Sequence, residues 1–180
     1  MKVETTGLPG VLIIEPEVFG DERGFFLECY HENRYRDDAG IQEMFVQDNI
    51  SRSARGVLRG LHFQTANPQG KLIGITHGEV FDVAVDINPD SATFKTWVGI
   101  TLSDQNHLQL YVPPGYAHGF LVLSEFADFQ YKCTEYYDPT SETGIIWNDP
   151  DIGIDWPINR EPLVSARDTK LPTIRDHHQV

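Results

Sequence analysis

The run Gly56-Val57-Leu58-Arg59-Gly60-Leu61-His62-Phe63-Gln64 carries the first candidate for chemistry, a histidine set in an apolar strand. Counting by twos puts Leu58, Gly60, His62 and Gln64 on one face and Arg59, Leu61 and Phe63 on the other. Gly60 removes a side chain beside His62, which predicts room for a ligand above the sheet. Alone, such a histidine is ordinarily a hydrogen-bonded residue of a half-buried strand, so it needs company. Gln69-Gly70-Lys71-Leu72 sets a lysine at the opening of the next strand, where lysine is usually solvated. Tyr111-Val112-Pro113-Pro114-Gly115-Tyr116-Ala117-His118-Gly119-Phe120 brings a second histidine after a rigid turn. In Phe129-Gln130-Tyr131-Lys132-Cys133, alternation turns Phe129, Tyr131 and Cys133 inward. A core tyrosine fits that place as well as a proton donor does.

The turn Pro113-x-Gly115-x-x-His118 resembles the second half of the cupin signature. The first half would be Gly60-Leu61-His62-Phe63-Gln64, with glycine and glutamine where further histidines normally sit. One histidine per segment is too few for the three or more ligands that a metal takes. The reading is therefore a cupin-like barrel that has given up its metal.

The elements that position these residues are short. Apolar and β-branched runs recur at Val11–Ile14, Phe25–Tyr30, Met44–Ile50, Val57–Gln64, Lys71–Ile75, Glu79–Ile87, Phe94–Leu102, His107–Val112, Gly119–Ser124 and Phe129–Tyr137. In Phe81-Asp82-Val83-Ala84-Val85-Asp86-Ile87 the large apolar residues fall on one face. Thr76-His77-Gly78-Glu79, Asn88-Pro89-Asp90 and Pro113-Pro114-Gly115 are turns. Many short strands with regular turns predict a mainly β chain, a cupin-like jelly-roll β-barrel with a few short helices. A helix is expected over Glu32–Ala39, ended by Gly40. A single domain over 1–180 is expected, with the barrel at about 8–148. Residues 149–180, punctuated by Pro150, Pro157, Pro162 and Pro172, read as an ordered wrap with a helical piece near Ser165–Lys170.

The 14 basic and 27 acidic residues leave a formal charge of −13, which speaks against nucleic acid and anionic membranes as partners. An anionic ligand would then need particular arginines and lysines gathered against the overall field. No apolar run is long enough to span a bilayer, and the first ten residues lack the apolar core of a signal peptide. Cys29 and Cys133 have no metal-ligand spacing, and reduced thiols in a cytoplasmic protein are expected over a disulfide.

Taken in order along the chain, Asp21-Glu22-Arg23-Gly24-Phe25-Phe26, Gln47-Asp48-Asn49, Arg59-Gly60-Leu61-His62, Gly78-Glu79-Val80-Phe81-Asp82-Val83, Val112 to Phe120, Tyr131-Lys132, Tyr136-Tyr137, Gly144 to Pro150, Ile154 to Pro157 and Ser165-Ala166-Arg167-Asp168 resemble the dTDP-4-dehydrorhamnose 3,5-epimerase family. The similarity runs from about Leu8 to Pro172. That family inverts C3 and C5 of dTDP-4-dehydro-6-deoxyglucose, toward dTDP-L-rhamnose. Both carbons flank the C4 ketone, so proton removal gives an enolate with its charge on the C4 oxygen. The chemistry calls for a base, a cation at that oxygen and an acid on the opposite face, and for neither a metal nor a redox cofactor.

The resemblance implies His62 as the base, Asp168 as the carboxylate that orients it, Lys71 beside the enolate oxygen and Tyr131 as proton donor. It implies Arg23 and Arg59 on the diphosphate, with Arg167 where relatives often have lysine. It further implies Glu28, Gln47 and Asn49 at the thymidine end, some reaching across a homodimer interface, and Phe26 and Asp48 among the substrate-binding residues. Tyr137 matches the residue stacked on thymine, and His118 and Glu142 match other ligand contacts. Gly74 and Asn88 depart from arginines common in the family, the loop Thr65–Pro68 looks one residue short, and the tail with His177-His178 has no counterpart. An enzyme inverting only C3 or only C5 would use the same residues. A sugar-binding cupin without catalysis is the rival from another class.

Overall fold

The apolar runs fold as strands paired antiparallel in a computed structural model that describes residues 1–177. In chain order these are β1 (Lys2–Thr5), β2 (Leu12–Glu15), β3 (Val18–Asp21), β4 (Gly24–Leu27), helix α1 (Glu32–Ala39), β5 (Gln47–Ala54), β6 (Leu58–Gln64) and β7 (Lys71–His77). There follow β8 (Glu79–Asp86), β9 (Trp97–Ser103), β10 (Gln109–Val112), β11 (Tyr116–Val122), β12 (Phe126–Cys133), β13 (Glu142–Gly144), a 3-10 turn at Asp168–Lys170 and α2 (Ile174–His177). Of the tail histidines, His178 lies outside the described residues. No helix among those residues is long and apolar enough to cross a membrane.

A six-stranded sheet, β1-β2-β10-β7-β12-β5, faces a five-stranded one, β13-β6-β11-β8-β9, and β3-β4 forms a separate hairpin. The architecture is the mainly β jelly roll expected, with its two sheets packed face to face and not closed into one continuous barrel. Side-chain packing joins the two faces where a barrel would have a continuous hydrogen-bonded ladder.

Alternation decides what each face meets. Ile73, Ile75 and Phe129 from one sheet pack on Val80, Ala84, Phe120 and Val122 from the other, filling the sandwich. Phe120 and Phe129 stack with ring centroids 4.0 Å apart. On the outer face of the five-stranded sheet, Leu61, Val83, Val85 and Leu121 are covered by Ile145 and by Ile152, Trp156 and Ile174 of the C-terminal wrap. Strand β8 is therefore buried on both sides. Helix α1 lays Tyr35 against Ile14, Leu72 and Tyr111 on the outside of the six-stranded sheet.

Helix α1 spans the residues expected of it, and Gly40 at φ 72° stops it by donating its N–H to the carbonyl of Arg36. The short strands β1, β3 and β13 lack the apolar run that marks a strand in sequence. Strand β5 begins and ends later than its apolar start suggests, because Gln47–Ala54 is a polar edge strand paired along its length with β12. The helical piece expected at Ser165–Lys170 is only the turn at Asp168–Lys170.

Candidate active site

His62 on β6 and His118 on β11 stand directly opposite each other in the ladder. The pairing slips just beyond them, with Phe120 opposite Arg59, so β6 carries one extra residue over this stretch. Such a bulge resets the alternation. Arg59 therefore reaches the same cavity as His62, where counting by twos had put it on the opposite face. Gly60 also has a different role from the one its sequence position suggests. It sits at φ 119°, and a Cβ there would lie 2.6 Å from the Cα of Gly119 and 2.7 Å from the carbonyl of His118. The missing side chain makes room for β11 rather than for a ligand.

The six-stranded sheet contributes the opposing wall. Lys71 on β7 is the register partner of Cys133 on β12, and Tyr131 pairs with Asn49 and Cys133 with Gln47 on β5. Phe129, Tyr131 and Cys133 point inward together, as alternation predicts. Between the sheets lies a cavity of about 390 Å³ reached by Gln47, Asn49, Arg59, His62, Lys71, His118, Tyr131, Tyr137, Glu142 and Arg167.

The C-terminal wrap places Asp168 beneath His62, with Oδ1 2.8 Å from Nε2. Asp168 also accepts the N–H of Gly60 at 3.4 Å, and its own N–H donates to Ser165 Oγ at 3.0 Å. Burial pushes its carboxyl pKa up, but the bond and charge of His62 and the backbone donor outweigh this and leave it below the usual aspartate value. An ionised Asp168 keeps the proton of His62 on Nε2. Nδ1 is then the free nitrogen, and it has no hydrogen bond to the described residues.

Burial pulls Lys71 below the ordinary lysine pKa, opposed by the nearby Cys133, Glu142 and Asp82. It raises Tyr131, with Cys133 and Glu142 adding to the effect, so the phenol holds its proton at neutral pH. Arg59 donates from Nε to Ser53 Oγ at 3.1 Å and has no carboxylate partner among the described residues. Arg167 is paired with Glu142, which also accepts the hydroxyl of Tyr137 at 2.9 Å. The N–H of Tyr137 donates to Gln47, whose amide reaches Asn49 at 2.9 Å. Three cations thus gather at one cavity of an acidic protein, and among the described residues no three His, Cys, Asp or Glu side chains converge to hold a metal ion.

Four residues implied for the site lie elsewhere in the chain's own fold. Arg23 is paired with Asp21 at the tip of the β3-β4 hairpin, and Phe26 is 68% exposed on it. Glu28 pairs with Arg34 on α1, and Asp48 faces outward to Lys132. Sequence reasoning missed Asp82, which is bound to His118; an aspartate amid the apolar residues of a central strand was the available signal.

The profile of the dTDP-4-dehydrorhamnose 3,5-epimerase family matches residues 5–176. The chain belongs to that family. The family's enzyme from Salmonella typhimurium is 54% identical over 97% of this chain and 96% of its own length. A solved dTDP-6-deoxy-D-glucose-3,5-epimerase from Legionella pneumophila, in complex with dTDP-4-keto-L-rhamnose, superposes with TM-score 0.94 at 50% identity, covering 97% of this chain and 93% of its own. A dTDP-4-dehydrorhamnose 3-epimerase from Streptomyces niveus is 40% identical over 93% of this chain and 81% of its own. Identity to the double epimerase thus exceeds identity to this single one.

Proposed function

We propose that the chain epimerises C3 and C5 of dTDP-4-dehydro-6-deoxy-D-glucose to dTDP-4-dehydro-L-rhamnose, in dTDP-L-rhamnose biosynthesis. The observation that carries this reading is His62 on one sheet, held by Asp168 of the wrap, facing Lys71 and Tyr131 on the other sheet. His62 Nδ1 takes the proton from a carbon beside the ketone, and the C–H electron pair moves into the ring as an enolate. The charge comes to rest on the C4 oxygen, where the Lys71 ammonium meets it. A preorganised cation there contributes roughly 10²–10³ in rate. Asp168 stabilises the imidazolium, and Tyr131 gives its phenolic proton to the opposite face of the carbon. His62 then loses its proton and Tyr131 regains one through solvent, which resets both groups.

Arg59 and Arg167 suit the diphosphate, because guanidinium matches phosphate geometry. Arg167 would exchange Glu142 for phosphate. Tyr137, Gln47 and Asn49 line the thymidine end. Arg23, Phe26, Glu28 and Asp48 come into play through a homodimer, in which the exposed hairpin of one copy reaches the cavity of the other. Phe19, Phe25 and Phe26, between 56% and 68% exposed, support this reading, since apolar surface of that kind favours burial by a partner. Two free thiols fit a cytoplasmic enzyme.

Proton NMR of the substrate with purified enzyme in D2O tests the reaction. Loss of both the C3 and C5 signals, abolished by His62→Asn, is the expected result. Loss of one signal alone would replace the double reaction by a single epimerisation, and no exchange by a folded protein would leave a binding protein.

A further inference from the structure

Asp82 is a carboxylate to which the reaction above gives no task. It sits in the middle of β8, 0% exposed, on the face that otherwise presents Val80 and Ala84 to the sandwich core. Oδ1 lies 2.8 Å from His118 Nε2, whereas Oδ2 is buried with no hydrogen-bond partner among the described residues. Burying a polar oxygen without a partner is costly, and an apolar residue would fill the core at less expense to stability. The position therefore calls for a reason beyond packing.

The ladder supplies one. His118 is the direct partner of His62 across β6 and β11, and Asp82 is on β8, the next strand over. Two histidines thus stand side by side at the cavity, each held through Nε2 by a buried carboxylate at 2.8 Å. A carboxylate acceptor at Nε2 puts the ring proton there and leaves Nδ1 as the nitrogen available to a ligand. Asp82 also supports the positive charge of Lys71, whose ammonium is otherwise disfavoured by burial.

We propose that Asp82 is a positioning residue for the epimerisation, fixing His118 with its proton on Nε2 so that Nδ1 accepts a hydrogen bond from a sugar hydroxyl beside the ketone. The inference rests on the epimerase reading given above. Asp82 touches no substrate in this scheme. It acts through His118, and secondarily by adding negative charge near Lys71. Asp82 makes no hydrogen bond to Arg59, Arg167 or Tyr137 at the nucleotide end of the cavity.

The test is the steady-state kinetics of wild type and Asp82→Asn, with dTDP affinity measured by calorimetry as the check on a folded site. Wild type that turns over the substrate keeps the epimerase reading; wild type that does not sinks that reading. With an active wild type, Asp82→Asn is expected to lower kcat about 10²-fold, in the range of a lost oxyanion donor, with KM and dTDP affinity within about threefold. A folded variant with kcat within about threefold of wild type would overturn the proposal. So would an equal loss in dTDP affinity, which marks a structural role. Long-range proton–nitrogen NMR of histidine-labelled wild type gives a second measurement that needs no variant. The His118 proton on Nε2 is expected, and a proton on Nδ1 overturns the proposal even if Asp82→Asn fails to fold.

Discussion

At the scale of single residues, the site works by moving the proton affinities of neighbours in opposite directions with one cause. Burial lowers Lys71 and raises Tyr131, because it disfavours the ammonium in one case and the phenolate in the other. The enclosed ammonium is therefore lost at a lower pH than a solvated lysine, whose pKa is about 10.4. Tyr131 still holds its proton there. The alkaline limb of kcat/KM should consequently fall below the ordinary lysine range. Lys71→Arg, permanently charged, should shift that limb upward at reduced kcat. A pH–rate profile of the two proteins checks this, and an unmoved limb would assign it to another group.

At the scale of elements, the decisive features are a bulge and a wrap. The extra residue on β6 brings Arg59 to the cavity beside His62, and the glycine contact with β11 holds it in place. The wrap covers the outer sheet with Trp156, whose ring lies 6.0 Å from Phe81 and whose Nε1 donates to the carbonyl of Trp147. The same segment delivers Asp168 to His62 some hundred residues earlier. The proposed reaction thus couples catalysis to stability through one element. Trp156→Ala should cost about 3–5 kcal/mol by urea unfolding and should also lower kcat, by loosening Asp168. Lost stability with an unchanged kcat would show that Asp168 is held independently of Trp156.

At the scale of the whole molecule, a formal charge of −13 opposes an anionic substrate at long range, so recognition depends on local cations. Arg59 and Lys71 have no ion-pair partner among the described residues and are free to serve, while Arg167 is lent to Glu142. In the proposed homodimer, the exposed aromatic hairpin of one copy completes the site of the other. Phe26→Asp should convert a dimer to monomers in light scattering and reduce kcat/KM roughly tenfold or more, as loss of a buried aromatic anchor does. A monomeric wild type with full activity would remove the second copy from the site.

Much was legible in the residues themselves. The antiparallel β character, helix α1, the inward face of Tyr131 and the family follow from alternation, turn residues and ordered motifs, because these are local properties of the chain. The pairing of Asp168 with His62 entered only through the family resemblance. The face reached by Arg59, the reason for Gly60 and the bond from Asp82 to His118 depend on which strands lie side by side. A bulge shifts every side chain beyond it by one place, and nothing in the local pattern of β6 marks where the ladder slips. That the sheets of the jelly roll pack face to face without closing was likewise settled by long-range pairing. Alternation says which side of a strand is buried; only the tertiary structure says against what.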